Sequence, residues 1–144
     1  MIVRDVMTPN PKAVVLADSI QVAATVMRDE DTGVVPVVDA NRKLVGVITD
    51  RDLAIRAVAD GQHYGEPVRG FLTTRLIVAT PDMTTAEAAG LMAEYQVRRL
   101  PVVEIDTDML VGIVSLGDLA VKESADKRIG DTLEVISEGV KTRH

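Results

Sequence analysis

Apolar residues along this chain fall into two kinds of stretch. Short unbroken runs sit at residues 13–16, 34–38 and 44–48, and β-branched residues dominate them. Runs of that length and composition predict buried strands. Between them, Ile20, Ala23, Ala24 and Met27 recur at helical spacing behind Ser19, which predicts a capped helix to about Glu30. Thr32-Gly33 breaks it, residues 39–42 form a turn, and a second helix is expected from Asp50 to about Ala59. Pro36, inside the second run, requires a place where no N–H is donated. The opening residues 3–8 read as a short helical turn stopped by Pro9.

After Gly61, Gly65 and Pro67 the pattern starts again. Residues 68–73 echo 3–8, and 76–79 form an apolar strand. Thr84 and Glu87 form a capping box for a helix carrying Ala88, Leu91, Met92 and Tyr95. Strands 100–103 and 110–114 flank a turn at 106–108, and a helix follows from 116 to about 124. Met27 and Met92, like Pro36 and Pro101, lie 65 positions apart. Gly46 and Gly112, like Asp52 and Asp118, lie 66 apart, so the extra residue falls in the hairpin turn. This is an internal duplication, not a solenoid. Each half reads β-α-β-β-α. The expected fold is α/β (α+β), with repeat 1 at 1–60, a linker at 61–67, repeat 2 at 68–126 and a tail at 127–144. Each half is small for the apolar strands it must cover, so the two should pack against each other about a pseudo-twofold axis.

The most specific repeated element is Gly46-Val47-Ile48-Thr49-Asp50-Arg51-Asp52, matched by Gly112-Ile113-Val114-Ser115-Leu116-Gly117-Asp118. It places a hydroxyl where a strand hands over to a helix N-terminus, and an acid three residues later. Two readings compete. In one, Thr49/Asp52 and Ser115/Asp118 are capping boxes. In the other, the hydroxyl and the helix N-terminus hold a phosphate while the Asp accepts from a ribose diol.

Composition narrows the field. At 47% hydrophobic and 2% aromatic, the core must be Val, Leu, Ile, Ala and Met. A net charge of −6 removes a global positive field for nucleic acid. With no Cys, disulfides and thiol chemistry are excluded, and two His leave little for a metal centre or a triad. No apolar run approaches a membrane span, so a cytoplasmic protein is expected. There is no P-loop, no G-x-G-x-x-G and no supported carboxylate pair, so nothing points to an enzyme.

Taken together, the doubled Gly-h-h-(Thr/Ser)-x-x-Asp, the doubled Pro strand, Val3-Arg4-Asp5-Val6-Met7-Thr8 and Val97-Arg98-Arg99-Leu100-Pro101 resemble a pair of cystathionine β-synthase (CBS) domains, a Bateman module. The resemblance spans about residues 2–124. It implies a regulatory module that binds AMP, ADP, ATP or S-adenosylmethionine in clefts between the halves. It assigns the ribose to Asp52 and Asp118, and the phosphate to Thr49 and Ser115. Base contacts are assigned near Val14, Val15, Val35, Val78, Ala79 and Leu100. Arg98 and Arg99 precede the second Pro strand, where the family often places phosphate-binding cations; the first half has Gly33-Val34 there. In an acidic chain a phosphate site needs local cations, so the site on Ser115, Asp118 and Arg99 ranks first, with Arg51 a partial compensation in the first half. Family members commonly form flat homodimers, and the absence of an effector domain implies output through another polypeptide. The rival reading is a structural or protein-interaction module whose pockets bind nothing physiological. Tyr95, at a helix end, reads as packing, with stacking on a base as the alternative, and His63 as a linker residue.

Overall fold

The computed structural model describes residues 1–120. The rest of the helix expected from 116, and the tail at 127–144, lie outside them. Two three-stranded sheets form the frame. One runs β2 (Val14–Val15), β3 (Val34–Val38), β4 (Leu44–Thr49); the other runs β1 (Thr8–Pro9), β6 (Leu110–Ser115), β5 (Arg99–Val103). Helix α1 (Ile20–Asp29) follows β2, with the Ser19 hydroxyl accepting from the Val22 N–H. Helix α3 (Thr85–Tyr95) carries the expected Thr84/Glu87 box and ends at Gln96 in the left-handed region (φ 55°). Past the first motif, α2 (Asp50–Asp52) continues at once into a π-wound stretch, Leu53–Val58, so the expected helix is present but wider in its second half. The segment 76–79, expected as a strand, pairs only at Ala79: its N–H donates to Pro101 O (2.9 Å) and its C=O accepts from Val103 N (3.0 Å).

The two hairpins are built alike. In each, the antiparallel register slips by one residue, between Val37 and Val38 and between Val102 and Val103. Pro36 faces Val47, whose N–H and C=O turn away to Thr73 (3.0 and 2.8 Å), so the proline leaves no β4 donor unmet.

The residues that repeat in sequence are not the residues that pack together. Val3 is fully buried in the core of the second half, with Ala88, Met92, Leu100 and Val114. Val68 is fully buried in the core of the first, with Ile20, Ala23, Val35 and Ile48. Each leading segment thus closes the opposite half. Val3 N–H donates to Met83 O and Val68 N–H to Asp18 O, both at 2.8 Å. Burying each valine contributes about 1.5–3 kcal/mol, and that energy ties one half to the other. Reciprocal bonds from Leu44 N to Asp108 O and Leu110 N to Arg42 O, both 3.0 Å, join the hairpins around a third apolar cluster of Val38, Leu44, Val103 and Leu110.

The motif glycines exist for this crossing. A Cβ on Gly46 would meet the Leu72 side chain and lie 2.9 Å from Thr73 O; on Gly112 it would meet Met7 and lie 3.1 Å from Thr8 O.

Candidate functional site

Both motifs form complete capping boxes. Thr49 N–H donates to Asp52 Oδ2 and Asp52 N–H to Thr49 Oγ1, each at 3.0 Å. Ser115 and Asp118 repeat both bonds at 3.0 Å. The start of each helix is fastened to the residue before the opposite strand of its own hairpin: Asp50 N to Gly33 O (2.9 Å) and Leu116 N to Arg98 O (2.7 Å). The structural and ligand-binding readings of the Asp are therefore not exclusive. Each Asp is a cap first, with any remaining acceptor capacity left for a ligand.

The halves differ in how far that capacity is used. Asp52 is only 8% exposed. It also accepts from the Thr73 hydroxyl (3.1 and 3.3 Å to its two oxygens) and lies 3.7 Å from the largely exposed Arg56. Asp118 is half-buried, and among the described residues no hydroxyl donates to it. Thr49 accepts a bond at Oγ1, and among the described residues its own O–H meets no acceptor.

Two clefts lie between the halves. The larger, about 730 Å³, is within the size range of small-molecule sites. Thr49 and Asp50 line it from the first motif, Thr73 and Arg75 from the crossing segment, and Arg98 and Arg99 from the second half. Val34, Val47, Leu76, Ile77, Val97 and Pro101 supply its apolar wall. The smaller, about 290 Å³, is its pseudo-symmetric counterpart, with Thr8, Asn10, Lys12, Glu30 and Arg99.

This geometry re-sorts the expected site residues. Arg98 joins Thr49, not Ser115, so the cation pair and the first motif share one cleft. Arg99 reaches both clefts, because it crosses from β5 opposite Ser115. Ser115 and Asp118 line neither cleft, and Asp52 lies behind Thr49 and Thr73. Arg51 is exposed outside both. The expected base contacts are not at the clefts either. Val14, Val35, Ala79 and Leu100 are core residues, Val78 packs against the apolar cluster between the hairpins, and Val15 is exposed. Their strand neighbours Val34, Pro36, Arg99 and Pro101 face the clefts instead, because side chains alternate along a strand and a one-residue offset exchanges its faces. Thr8, Thr73, Arg75 and Lys12 were not singled out as ligand residues from sequence, and for Tyr95 packing was ranked above base stacking. The echo of Val3–Thr8 in Val68–Thr73 was the available signal for the two threonines.

With this architecture described, comparison with known proteins places it. The CBS domain profile matches residues 3–58 and again 68–123, and the chain belongs to the CBS domain family. It is 42% identical to the CBS domain-containing protein YhcV of Bacillus subtilis over 135 residues, 94% of each chain. Among solved structures it is similar to CBSX2 in complex with AMP (TM-score 0.76, 30% identity, 88% of this chain and 98% of that one). It is also similar to the CBS domain pair of MJ0100 in complex with 5′-methylthioadenosine and S-adenosyl-L-methionine (TM-score 0.74, 29% identity, 88% and 98%). CBS pairs are regulatory modules. No helix among the described residues is long and apolar enough to cross a membrane.

Proposed function

We propose that the chain is a regulatory module that binds an adenosine nucleotide in the larger cleft and passes the liganded state to a partner protein. One observation carries this reading. A single cleft is lined by a hydroxyl at a helix N-terminus whose O–H is unused among the described residues (Thr49), a threonine suited to a ribose and backed by the Asp52 carboxylate (Thr73), and two arginines suited to phosphate (Arg98 and Arg99). Ribose hydroxyls would use the remaining acceptor capacity of Asp52 or displace Thr73 from it. Val47, Ile77, Val97 and Pro101 would enclose the base. The adenosine ligands of the CBSX2 and MJ0100 structures support the ligand class. Exposed Ile55 and Val58, the latter 74% exposed on the π-wound stretch, support a second copy of the chain as their cover.

Thermal stability against AMP, ADP, ATP, S-adenosylmethionine and NAD tests the proposal. A ligand at 100 times its dissociation constant adds about 2.7 kcal/mol. The upward shift should disappear in Arg98→Ala, which alters the larger cleft alone, and persist in Lys12→Ala, which alters the smaller. Loss in Lys12→Ala alone moves the site to the smaller cleft. No shift with any ligand, from folded protein, favours the protein-interaction module.

A further inference from the structure

We propose that the larger cleft is built for a nucleoside di- or triphosphate, with Arg75 as the side chain that reads the phosphates beyond the first. The inference rests on the nucleotide reading of that cleft and narrows it.

Three arginines, Arg75, Arg98 and Arg99, line one cleft of a chain whose net charge is −6. Among the described residues none of the three is ion-paired. Among the described residues the one acid lining the cleft is Asp50, whose Oδ1 accepts from the Arg51 N–H (2.8 Å). Three cations against one carboxylate leave the cleft net positive, and an apolar wall on one side strengthens that field. A ligand carrying several negative charges offsets that field. A ligand bearing a sulfonium cation adds to it, and a monophosphate offsets it least among the nucleotides.

Arg75 is placed for this role by the crossing segment. Thr73, Arg75, Leu76 and Ile77 of this segment all line the cleft, so Arg75 opens on the same space as Thr73, whose hydroxyl donates to the Asp52 carboxylate. Arg75 is two residues beyond Thr73, so its Cα lies within about 7 Å of the residue at the ribose position. Its guanidinium is held over the Tyr95 ring, 5.9 Å from the centroid, a contact that orients the cation without neutralising it. Tyr95 is 39% exposed and lines the same cleft, so the ring is a platform at the cleft wall and not core packing. The pair occurs on one side only. At the duplicated positions of the smaller cleft stand Asn10 and Glu30, so the fold itself does not require an arginine on an aromatic ring there.

Isothermal titration calorimetry of the full chain with AMP, ADP, ATP and inorganic tripolyphosphate tests this. ATP should bind at least about tenfold more tightly than AMP, a difference of about 1.4 kcal/mol. Arg75→Gln should weaken ATP about tenfold and leave AMP within about twofold. Because Arg75 is exposed, the variant should melt with the parent protein, which circular dichroism checks. AMP binding as tightly as ATP, or equal weakening of both by Arg75→Gln, overturns the proposal while leaving a nucleotide site in place. Tripolyphosphate binding without any nucleotide binding overturns the nucleotide reading and leaves a polyphosphate site. Binding of none of the four overturns both.

Discussion

Asp52→Ala and Asp118→Ala remove the same residue type from the same motif, yet the two should differ in cost. Either change removes the carboxylate half of a capping box, the bond from the Thr49 or Ser115 N–H, worth about 1 kcal/mol. At Asp118 that is close to the whole effect, because the carboxylate is half-buried and the described residues offer it no other donor. At Asp52 the acceptor also serves the Thr73 hydroxyl, and the site is 8% exposed. Leaving buried donors without a partner adds about 1–3 kcal/mol. Arg56 at 3.7 Å is too exposed to add much. The expected losses are therefore about 2–4 kcal/mol for Asp52→Ala and about 1 for Asp118→Ala. At about 4 °C per kcal/mol for a chain of this size, the melting temperatures should fall by about 8–16 °C and about 4 °C. Urea denaturation is the assay, with the midpoint shifting at constant m so that the loss is assigned to the native state. Equal losses, or a larger loss at Asp118, would refute the claim that Thr73 makes the first motif a tighter node. One consequence concerns binding experiments. A weakened ligand response in Asp52→Ala conflates lost stability with lost recognition. Thr73→Val, which removes one hydroxyl and keeps the box, separates the two.

Other predictions follow from the same geometry. Gly46→Ala should cost about 1–3 kcal/mol, since the new methyl meets Leu72 and the Thr73 carbonyl, whereas Gly90→Ala, inside α3 with nothing within 4 Å, should gain about 0.5–1 kcal/mol; paired thermal melts check the opposite signs. Val58→Asp should shift the chain toward monomer in multi-angle light scattering with little change in melting temperature, and an unchanged molar mass would remove Ile55 and Val58 from any interface. Nucleotide affinity should fall as salt rises, because the phosphate cations are at the surface, and a salt-independent dissociation constant would argue against recognition by Arg98 and Arg99.

Much of the fold was legible in the sequence. Ser19 and Thr84–Glu87 mark their helix starts by cap chemistry, and the duplicated Pro strands and motifs locate both hairpins. The exchange of leading segments was not, because Val3–Thr8 and Val68–Thr73 have the same pattern whichever half they close. The face of each Pro strand turned to the clefts was also hidden. Residues 34–38 are apolar at every position, so the alternation that fixes a strand's orientation is missing. That is why Val35 and Leu100 were expected at the ligand, while the structure turns Val34 and Arg99 to the clefts. Tyr95 was misread for another reason: it continues the helical spacing of Ala88, Leu91 and Met92 and so reads as packing, and only the approach of Arg75 from the segment before the helix gives it a role.

The most direct test is a crystal structure of the full chain grown with ATP. The expected density places the phosphates among Arg75, Arg98 and Arg99, the ribose against Thr73 and Asp52, and the base between Val47, Ile77, Val97 and Pro101. Nucleotide seated by Thr8 and Lys12 with the larger cleft empty, or an unliganded protein at saturating ATP, would contradict the assignment.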